Sequence, residues 1–444
     1  MKAFVRLTAV FVLFAIFAGF VSCAKTDDVE RKKQENMKDS VEKITGSQSD
    51  KASDGMSSFE AELGLDPYVP NTTFNLRPGL YVENGVMTRE GEEYVHIGVN
   101  YTGAFLNKYL KQWSNEYIEI FDLMNEYDIE YARINMGMFW PTWYAMWEND
   151  KAAYYNIMDE VVHAAEDRNI GLICSMFWHT TGVSDYFDEP ANAWADPESK
   201  TRAYMSEYLE TVVSRYKDSP AIWGWEYANE YNLMLDLPNA WDMFPGSIVP
   251  SMGSRLERDE NDIYLTDWAE GVLKAFAETV KEFDPYDRMI TSGNGEPRPT
   301  QYHQRLEGSW KLDSVEEMAE TLKWHNPDPI DTVSIHTYKP NERFYVIHDP
   351  ELKYEDKIFA LEDYIEQIAI FKEESAKLGK ALFIGEFWWE EGEYQKIIDA
   401  IVEVKVPISA IWAIGEVEWT ADTDPVQRAR LLSYIQQANL KLRG

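Results

Sequence analysis

The chain has 444 residues, enough for one large domain with long loops and a tail, and 45% of them are hydrophobic, so a sizeable core can form. Its 42 Lys and Arg residues against 77 Asp and Glu residues give a formal net charge of −35. This charge excludes nucleic acid and anionic membrane surfaces as electrostatic partners and gives an anionic polymer no attraction. Solubility explains most of the acidity, and the compatible partner is neutral or cationic.

Residues 1–22 have the pattern of a lipoprotein signal peptide. Two basic residues near the start precede a long apolar run, and the small Ser22 stands immediately before Cys23. The Phe-Val-Ser-Cys segment that ends at Cys23 resembles a loose bacterial lipobox, which implies cleavage before this cysteine and its acylation. The alternatives are an ordinary signal peptide with an incidental cysteine and an uncleaved membrane anchor, since the run is close to bilayer length.

The next segment is polar and leads into a globular region. Residues 23–58 are rich in Lys, Glu, Asp, Ser and Gln, and they cannot bury enough apolar surface to fold alone. We therefore predict a signal peptide at 1–22, a disordered tether at 23–58 and one catalytic domain at 59–444. A lipid anchor would hold this domain outside the cytoplasm, on the periplasmic or cell-surface face of a bacterial membrane. We expect a monomer, and which membrane carries it is left open.

From about Phe59 the chain alternates strand-like and helix-like stretches. Strands are predicted at Tyr94–Tyr101, Tyr131–Met136, Gly171–Phe177, Ile222–Tyr227, Met289–Ser292, Ile330–His336, Ala381–Glu386 and Ile408–Ile414. Helices are predicted at Trp113–Glu126, Tyr155–Asp167, Lys200–Tyr216, Ile263–Glu282, Ser314–Leu322, Lys357–Leu378, Gly392–Val402 and Val426–Leu440. Eight strand–helix repeats favour a closed (β/α)₈ TIM barrel in the α/β class over an open doubly wound sheet.

Two of the predicted strands lead to a glutamate. Asn229-Glu230 follow the fourth strand, and the seventh ends at Glu386. Because the carboxyl ends of barrel strands converge on one face, we expect the two side chains to face each other. Paired carboxyl groups, one protonated and one ionised, are what the cleavage of a glycosidic bond requires. Glu226 points to the same side as Glu230 four residues later, and we predict a supporting, hydrogen-bonded role for it.

Five motifs, in the right order on the right strands, resemble glycoside hydrolase clan A over roughly residues 90–440. Family 5, the cellulase and mannanase family, is the nearest match. The motifs are Asn229-Glu230 after strand four, Gly385-Glu386-Phe387 at the end of strand seven, His336-Thr337-Tyr338 after strand six, Arg133 on strand two and Trp412 on strand eight.

The resemblance implies a retaining β-glycosidase of the endo-β-mannanase or cellulase type. It implies that Glu230 is the acid/base and Glu386 the nucleophile, with carboxyl groups about 5 Å apart. The expected substrate is a neutral β-linked polysaccharide or oligosaccharide, with β-1,4-mannan or β-glucan first. Tyr231 stands where the family commonly has proline, which leaves the subfamily and the substrate open.

Supporting roles follow from the same resemblance. Arg133 would stabilise Glu386 as an anion and lower its pKa; the alternative is an ordinary salt bridge to a neighbouring loop. Asn229 would hydrogen-bond the sugar 2-hydroxyl, with turn capping as the alternative. Tyr338 would orient the nucleophile.

Histidines and tryptophans complete the candidate site. His179 and His336 resemble polar residues that line the sugar subsite, although a structural role is the alternative for either. Trp412 resembles the platform under the reacting sugar, since flat rings pack on pyranose faces. For Trp388 and the other tryptophans near the strand ends, a place in the cleft and a place in the core are both left open. These others are Trp140, Trp143, Trp147, Trp178, Trp389 and Trp419. Trp223 and Trp225 are predicted to pack in the core.

No His–x–His or Cys cluster has the spacing of a metal site, so neither a metal nor a cofactor is predicted. Two rival functions remain: a non-catalytic glycan-binding surface lipoprotein on the same barrel, and a transglycosylase that uses the same site. The cleft would be walled by the loops 231–262, 293–313 and 339–356. Their sequences leave open whether the enzyme cleaves glycan chains at the ends or in the middle.

Overall fold

The structure, a computed structural model, describes residues 58–111, 114–242, 248–338, 344–347, 357–360, 364–388, 390, 392–415 and 424–444. Contacts between residues divide the chain into two units, Met1–Pro67 and Tyr68–Gly444. The described part of the first unit contains the helix Ser58–Leu63. The predicted signal peptide, Cys23 and nearly all of the tether lie outside the described residues, and the domain boundaries stay predictions. Within the described ranges, no helix is long and apolar enough to cross a bilayer.

Eight parallel strands close into a barrel, which confirms the predicted (β/α)₈ fold. The strands are β1 His96–Asn100, β2 Tyr131–Asn135, β3 Gly171–Ser175, β4 Ile222–Glu226, β5 Met289–Thr291, β6 Thr332–Thr337, β7 Ala381–Phe387 and β8 Ile408–Ile411. Each strand pairs with the next, and β8 pairs with β1. All their residues are buried, because side chains fill the interior and helices cover the outer face.

Helices follow every strand. They span Gly103–Leu110, Glu116–Glu126, Pro141–Asn149, Lys151–Asp167, Gly182–Tyr186, Lys200–Tyr216, Thr266–Phe283, Gln301–Glu307, Val315–His325, Tyr364–Lys377, Glu393–Val404 and Pro425–Leu442. Short 3₁₀ turns lie at Ala191–Ala195, Tyr231–Met234, Ala240–Asp242, Pro250–Met252 and Glu260–Asp262. The helix Thr266–Phe283 is representative: it buries Ala269, Val272, Leu273 and Phe276 at helical spacing, which directs one apolar face to the barrel.

One predicted element is wrong in its first part. A single helix was expected over Lys357–Leu378, but Lys357–Ala360 is a strand that pairs antiparallel with Phe344–Ile347, and the helix spans Tyr364–Lys377. Both hairpin segments are rich in branched and aromatic residues, which favour a strand when a partner strand is available. That partner lies ten residues earlier in the chain, in a loop for which no strand was predicted.

A small antiparallel sheet before β1 was not predicted either. It consists of Tyr81–Glu83, Val86–Arg89 and Glu92–Glu93, and its first turn, Asn84-Gly85, has positive φ at both residues, as a two-residue hairpin requires. Just before this sheet, the backbone of Leu80 bonds to Trp223 and Met289 at the amino ends of β4 and β5. A buried cluster closes the amino end of the barrel and leaves the carboxyl end as the open face: Leu80, Met87, Tyr131, Ile173, Trp223, Met289, Ala381, Phe383, Ile408 and Ala410.

Candidate active site

The two predicted glutamates meet at the carboxyl end of the barrel. Glu230 lies four residues beyond the end of β4, and Glu386 is the penultimate residue of β7. Their carboxylate oxygens and the His336 ring nitrogen lie within 4.8 Å of one another. The Glu386 side chain is 4% exposed and that of Glu230 is 22% exposed. One carboxyl group is therefore sequestered in the barrel mouth, and the other faces the cleft.

The backbone around Glu230 sets the direction of its side chain. Glu230 has a left-handed backbone conformation, with φ of 50°, and its N–H donates to the Gly293 carbonyl at 2.9 Å. In the 3₁₀ turn that follows, the side chain of Asn232 exchanges two hydrogen bonds with the backbone of Gly295, at 2.8 and 2.9 Å. The Arg298 guanidinium donates to carbonyls of the same turn, including that of Leu233 at 2.7 Å. The loop after β5 thus holds the loop that carries Glu230 in place.

A β-bulge and a glycine position Glu386. The pairing register of β6 and β7 shifts between Ile384 and Glu386, and the carbonyl of the intervening Gly385 accepts a hydrogen bond from Asn100 at 2.8 Å. A Cβ atom at Gly385 would lie 2.9 Å from Nε2 of His336. Only glycine leaves this space, so the residue before Glu386 is what allows His336 to reach the carboxylates.

Arg133 connects the functional groups of the site. Its Nη1 donates to Glu386 Oε1 at 2.8 Å, and its Nη2 donates to Asn229 Oδ1 at 2.9 Å. Its Nε lies 2.9 Å from both oxygens of Glu226, which is fully buried. Burial lowers the pKa of Arg133, but the charges of Glu226 and Glu386 outweigh it and raise the pKa above its ordinary value. Glu226 therefore orients Arg133, in agreement with its predicted supporting role.

Tyr338 and His336 complete the hydrogen bonding of the carboxylates. The Tyr338 hydroxyl donates to Glu386 Oε2, and His336 Nδ1 lies 3.1 Å from Glu230 Oε1 and 3.5 Å from Glu386 Oε2. Burial and the charges of Glu386 and Glu230 raise the pKa of Tyr338 well above its ordinary value, so its phenol stays protonated as a donor. His336 links the two carboxyl groups from the end of β6.

The pKa of Glu386 corrects one expectation. We expected Arg133 to leave this carboxyl group with a lowered pKa, but burial raises the pKa of Glu386 above its ordinary value. The charges of His336 and Arg133 and the Tyr338 hydrogen bond oppose burial without cancelling it, and the nearby Glu230 adds to the increase. Arg133 donates the expected hydrogen bond to Glu386. The net change in the Glu386 pKa is nevertheless upward, because the side chain is enclosed.

The aromatic residues divide between rim and core. The Trp178 ring lies 4.4 Å from the Arg133 guanidinium carbon, and Trp412, half-buried directly after β8, lies 6.0 Å from Trp178 between ring centroids. Trp388 packs edge-on against Tyr338 at 5.5 Å. Trp143 is half-buried, whereas the following are buried: Trp140, Trp147, Trp178, Trp223 and Trp225. Trp389 and Trp419 lie outside the described residues.

His179 lies at the rim after β3, next to Trp178. Its ring packs against Phe139 at 4.7 Å and Trp140 at 4.9 Å, and its Nδ1 lies 3.1 Å from the Thr181 hydroxyl. Burial, together with the charge of Arg258, lowers the pKa of His179 to about 4, so the ring is neutral near neutral pH. Six of the predicted site residues are linked by hydrogen bonds, and His179 belongs to the neighbouring rim. The six are Arg133, Asn229, Glu230, His336, Tyr338 and Glu386.

Among the residues that the structure describes, two clusters place possible metal ligands close together. Glu230, His336 and Glu386 form one cluster, but a divalent cation there would lie beside the Arg133 guanidinium and replace the existing hydrogen bonds. This arrangement is suited to acid–base chemistry instead. The second cluster contains His303, whose Nε2 already lies 2.8 Å from the Lys311 ammonium.

Asn100 is a site residue that the sequence reasoning missed. Its side-chain oxygen accepts from Arg133 at 3.1 Å while its amide group holds the Gly385 carbonyl. The available signal was a polar residue at the end of a buried strand, the same signal that identified Asn229. Asn100 was missed because its partners come from β2 and β7, far away in the sequence.

A family model and several known proteins are similar to this chain. The family model described as Cellulase (glycosyl hydrolase family 5) matches residues 90–393. Mannan endo-1,4-beta-mannosidase F of Aspergillus fumigatus is 40% identical over 81 residues, 16% of this chain and 18% of that protein. Mannan endo-1,4-beta-mannosidase A of Podospora anserina is 34% identical over 79 residues, 16% of this chain and 21% of that protein. The matched stretch thus spans about a fifth of these curated relatives.

Solved structures share the fold over most of the chain. The endo-1,4-beta-mannanase of Rhizomucor miehei has a TM-score of 0.56 at 13% identity, covering 82% of this chain and 99% of that one. The beta-glucanase of Saccharophagus degradans, solved in complex with cellotetraose, has a TM-score of 0.50 at 15% identity, covering 85% and 97%. These likenesses concern the fold, while the family match covers more than half of the chain. The chain belongs to glycosyl hydrolase family 5.

Proposed function

We propose that this protein is a retaining β-glycosidase that hydrolyses β-1,4-mannan or its oligosaccharides by double displacement. The observation that carries the proposal is the separation of the two carboxyl groups, whose nearest functional oxygens lie within 4.8 Å. Retaining glycosidases hold their carboxyl groups about 5–5.5 Å apart, whereas inverting enzymes need about 6.5–9.5 Å to admit a water molecule. This spacing suits direct attack on the sugar.

In the first step Glu386 attacks the anomeric carbon, and Glu230 gives its proton to the leaving glycosidic oxygen. In the second step Glu230 takes a proton from water, which attacks the glycosyl–enzyme ester and releases the sugar and the Glu386 carboxylate. Arg133 and Tyr338 hold one oxygen each of Glu386, so the carboxylate is fixed for attack. The greater exposure of Glu230 suits a group that meets a leaving group and then water.

Asn229 is the residue through which the sugar 2-hydroxyl would be recognised. Its side-chain oxygen is engaged by Arg133 at 2.9 Å, which directs its amide N–H groups as donors to a sugar hydroxyl. A hydrogen bond to the 2-hydroxyl strengthens as positive charge develops on the sugar. The configuration at this carbon distinguishes mannose from glucose, so Asn229 stands where the two substrates differ.

Mannan is placed first because the curated relatives that match by sequence are mannan endo-1,4-beta-mannosidases. β-Glucan is second, since a β-glucanase solved with cellotetraose shares the fold. The formal net charge of −35 agrees with a neutral polymer, because it gives an anionic polysaccharide no attraction.

The direct test is a panel of mannan, glucan and xylan with wild type, Glu386→Ala and Glu230→Gln. We expect cleavage of mannan, and loss of about 10²–10⁴ or more in kcat for each variant. Glu316→Gln, at an exposed glutamate on the helix Val315–His325, is the matched control and should retain wild-type activity. Full activity in either catalytic variant would refute the assignment.

The rival functions predict different results in the same panel. A glycan-binding protein without turnover would bind oligosaccharides but cleave none of them. A transglycosylase would transfer the glycosyl group to an added acceptor sugar in preference to water, which product analysis detects. The two intact glutamates with their supporting arginine favour hydrolysis, because a binding site alone has no use for a carboxylate held for attack.

We also propose that the protein is anchored through Cys23 outside the cytoplasm. The sequence pattern of residues 1–23 supports this proposal. Cells that express the full chain with radiolabelled palmitate should incorporate label into wild type but not into Cys23→Ser, and only wild type should partition with membranes. An unlabelled wild-type protein would refute the lipid anchor.

A further inference from the structure

The chain makes a long excursion between β4 and the helix Thr266–Phe283, and we call its residues 248–264 the strap. The two ends of the excursion are joined: the N–H of Asp236 donates to the carbonyl of Tyr264 at 2.8 Å, and the side chain of Asp236 accepts from Thr266. The excursion begins directly after the acid/base, Glu230. Because only a few residues separate Glu230 from the joined ends, the position of the excursion is coupled to that of the reacting groups.

The strap packs along the segment that follows β3. The Tyr264 hydroxyl lies 3.2 Å from that of Thr180, and Asp262 accepts from the N–H of Ala191 at 3.1 Å. Thr180 lies two residues after Trp178, whose ring lies over the Arg133 guanidinium. The strap is therefore joined to the rim of the catalytic site on its β3 side.

A buried ion pair fixes this contact. Arg258 of the strap donates to both oxygens of Asp185, in the segment after β3, at 2.6 and 2.7 Å. Within the strap, Arg255 donates to both oxygens of Asp262 at 3.0 and 3.1 Å and braces the strap itself. The side chains of Arg258 and Asp185 are 4% and 0% exposed. Separating such a pair leaves an uncompensated buried charge, which is strongly unfavourable. The strap is thus a fixed part of the rim.

The strap continues as far as the segment after β2. A Cβ atom at Gly253 would lie 3.1 Å from the Pro141 side chain and 3.2 Å from that of Thr142, at the start of the helix Pro141–Asn149. Trp140, immediately before this helix, packs on His179. The strap therefore belongs to the excursion that follows β4, and it contacts the segments after both β3 and β2.

We propose that the strap closes the β2–β3 end of the sugar cleft and confines cleavage to the ends of glycan chains, or to short oligosaccharides. This inference rests on the proposed glycosidase function. A polymer that crossed the site in both directions would have to displace the strap and break the buried Arg258–Asp185 ion pair. A chain terminus would fit, because it needs room for only a few sugars beyond the bond that is cleaved.

The test compares viscosity loss with the release of reducing ends on polymeric β-mannan, together with product lengths from mannooligosaccharides. Wild type should release one short product from the start and lower the viscosity little per bond cleaved. The double variant Arg258→Met/Asp185→Asn removes both charges of the pair, so no lone buried charge is left. It should show a several-fold larger viscosity loss per bond cleaved and a broader range of product lengths, with similar turnover of the shortest substrate.

The control is Arg215→Met/Asp159→Asn, which removes a similarly short ion pair, at 2.6 Å, between two outer helices. This control should keep the wild-type product pattern even if its stability falls. Early production of long fragments by wild type would overturn the proposal, and so would a wild-type pattern in the strap variant once proteolysis shows that its strap is loosened. No cleavage of any mannan or glucan would instead refute the glycosidase function itself.

Discussion

Replacing Tyr338 with phenylalanine is the sharpest test of how Glu386, the proposed nucleophile, is held. The variant keeps the ring that packs against Trp388 and removes only the hydroxyl that donates to Glu386 Oε2. Arg133 and His336 remain in place beside the carboxylate. The effect therefore reports one charge-assisted hydrogen bond and not a rebuilt site.

The magnitude follows from that single bond. A hydrogen bond to a charged group contributes about 1.5–3 kcal/mol, which corresponds to a fall of about 10- to 150-fold in kcat/KM. The pH profile should shift in a defined direction. The Tyr338 hydrogen bond lowers the pKa of Glu386 in opposition to burial, so its removal raises this pKa further. Because the nucleophile acts as an anion, the acidic limb of kcat/KM should move to higher pH.

The assay is the pH dependence of kcat/KM on a soluble mannooligosaccharide or aryl glycoside. Tyr216→Phe is the matched control: it also removes a buried hydroxyl that donates to a carboxylate, at 2.7 Å to Asp159, but in the outer helices. It should lower the free energy of unfolding and leave the pH profile unchanged. An unchanged rate and an unchanged acidic limb in Tyr338→Phe would refute the reasoning about the nucleophile.

Three further changes test the support of the site. Glu226→Gln leaves its buried arginine partner undercompensated, so the free energy of unfolding should fall by about 3–5 kcal/mol in denaturant titrations, and kcat should fall with it; wild-type values for both would contradict its orienting role. Gly385→Ala would place a methyl group 2.9 Å from His336 Nε2 and should abolish most activity, whereas Gly271→Ala, with open space around it, should be neutral or stabilising; equal activity of the two variants would refute the packing argument. Burial raises the pKa of Asp331 to about 6, so the folded state loses stability as pH rises from the ordinary carboxyl pKa through about 6, and Asp331→Asn should flatten that dependence in thermal unfolding; a parallel pH dependence in the variant would count against the shifted pKa.

The barrel and its pair of glutamates could be predicted from sequence because both depend on local patterns. Buried strands of a barrel appear as short apolar runs, and a polar residue at the end of such a run identifies the open face. Glu230 and Glu386 were found in this way. The hairpin Phe344–Ile347 with Lys357–Ala360 was not predicted, because each of its segments becomes a strand only beside the other.

What the tertiary structure decided is how the site residues are connected. Glu226, Arg133 and Asn100 form one hydrogen-bonded group from three strands, and no spacing in the sequence reveals which of their atoms meet. Whether the pKa of Glu386 is raised or lowered depends on the enclosure of its side chain, which exists only after the barrel has closed. The attachment of the strap to the β3 rim likewise depends on side chains far apart in the chain. The sequence by itself determined which residue types stand at each strand end, since strand periodicity is local. Distances, burial and electrostatic environment were decided by packing, since they are properties of several segments at once.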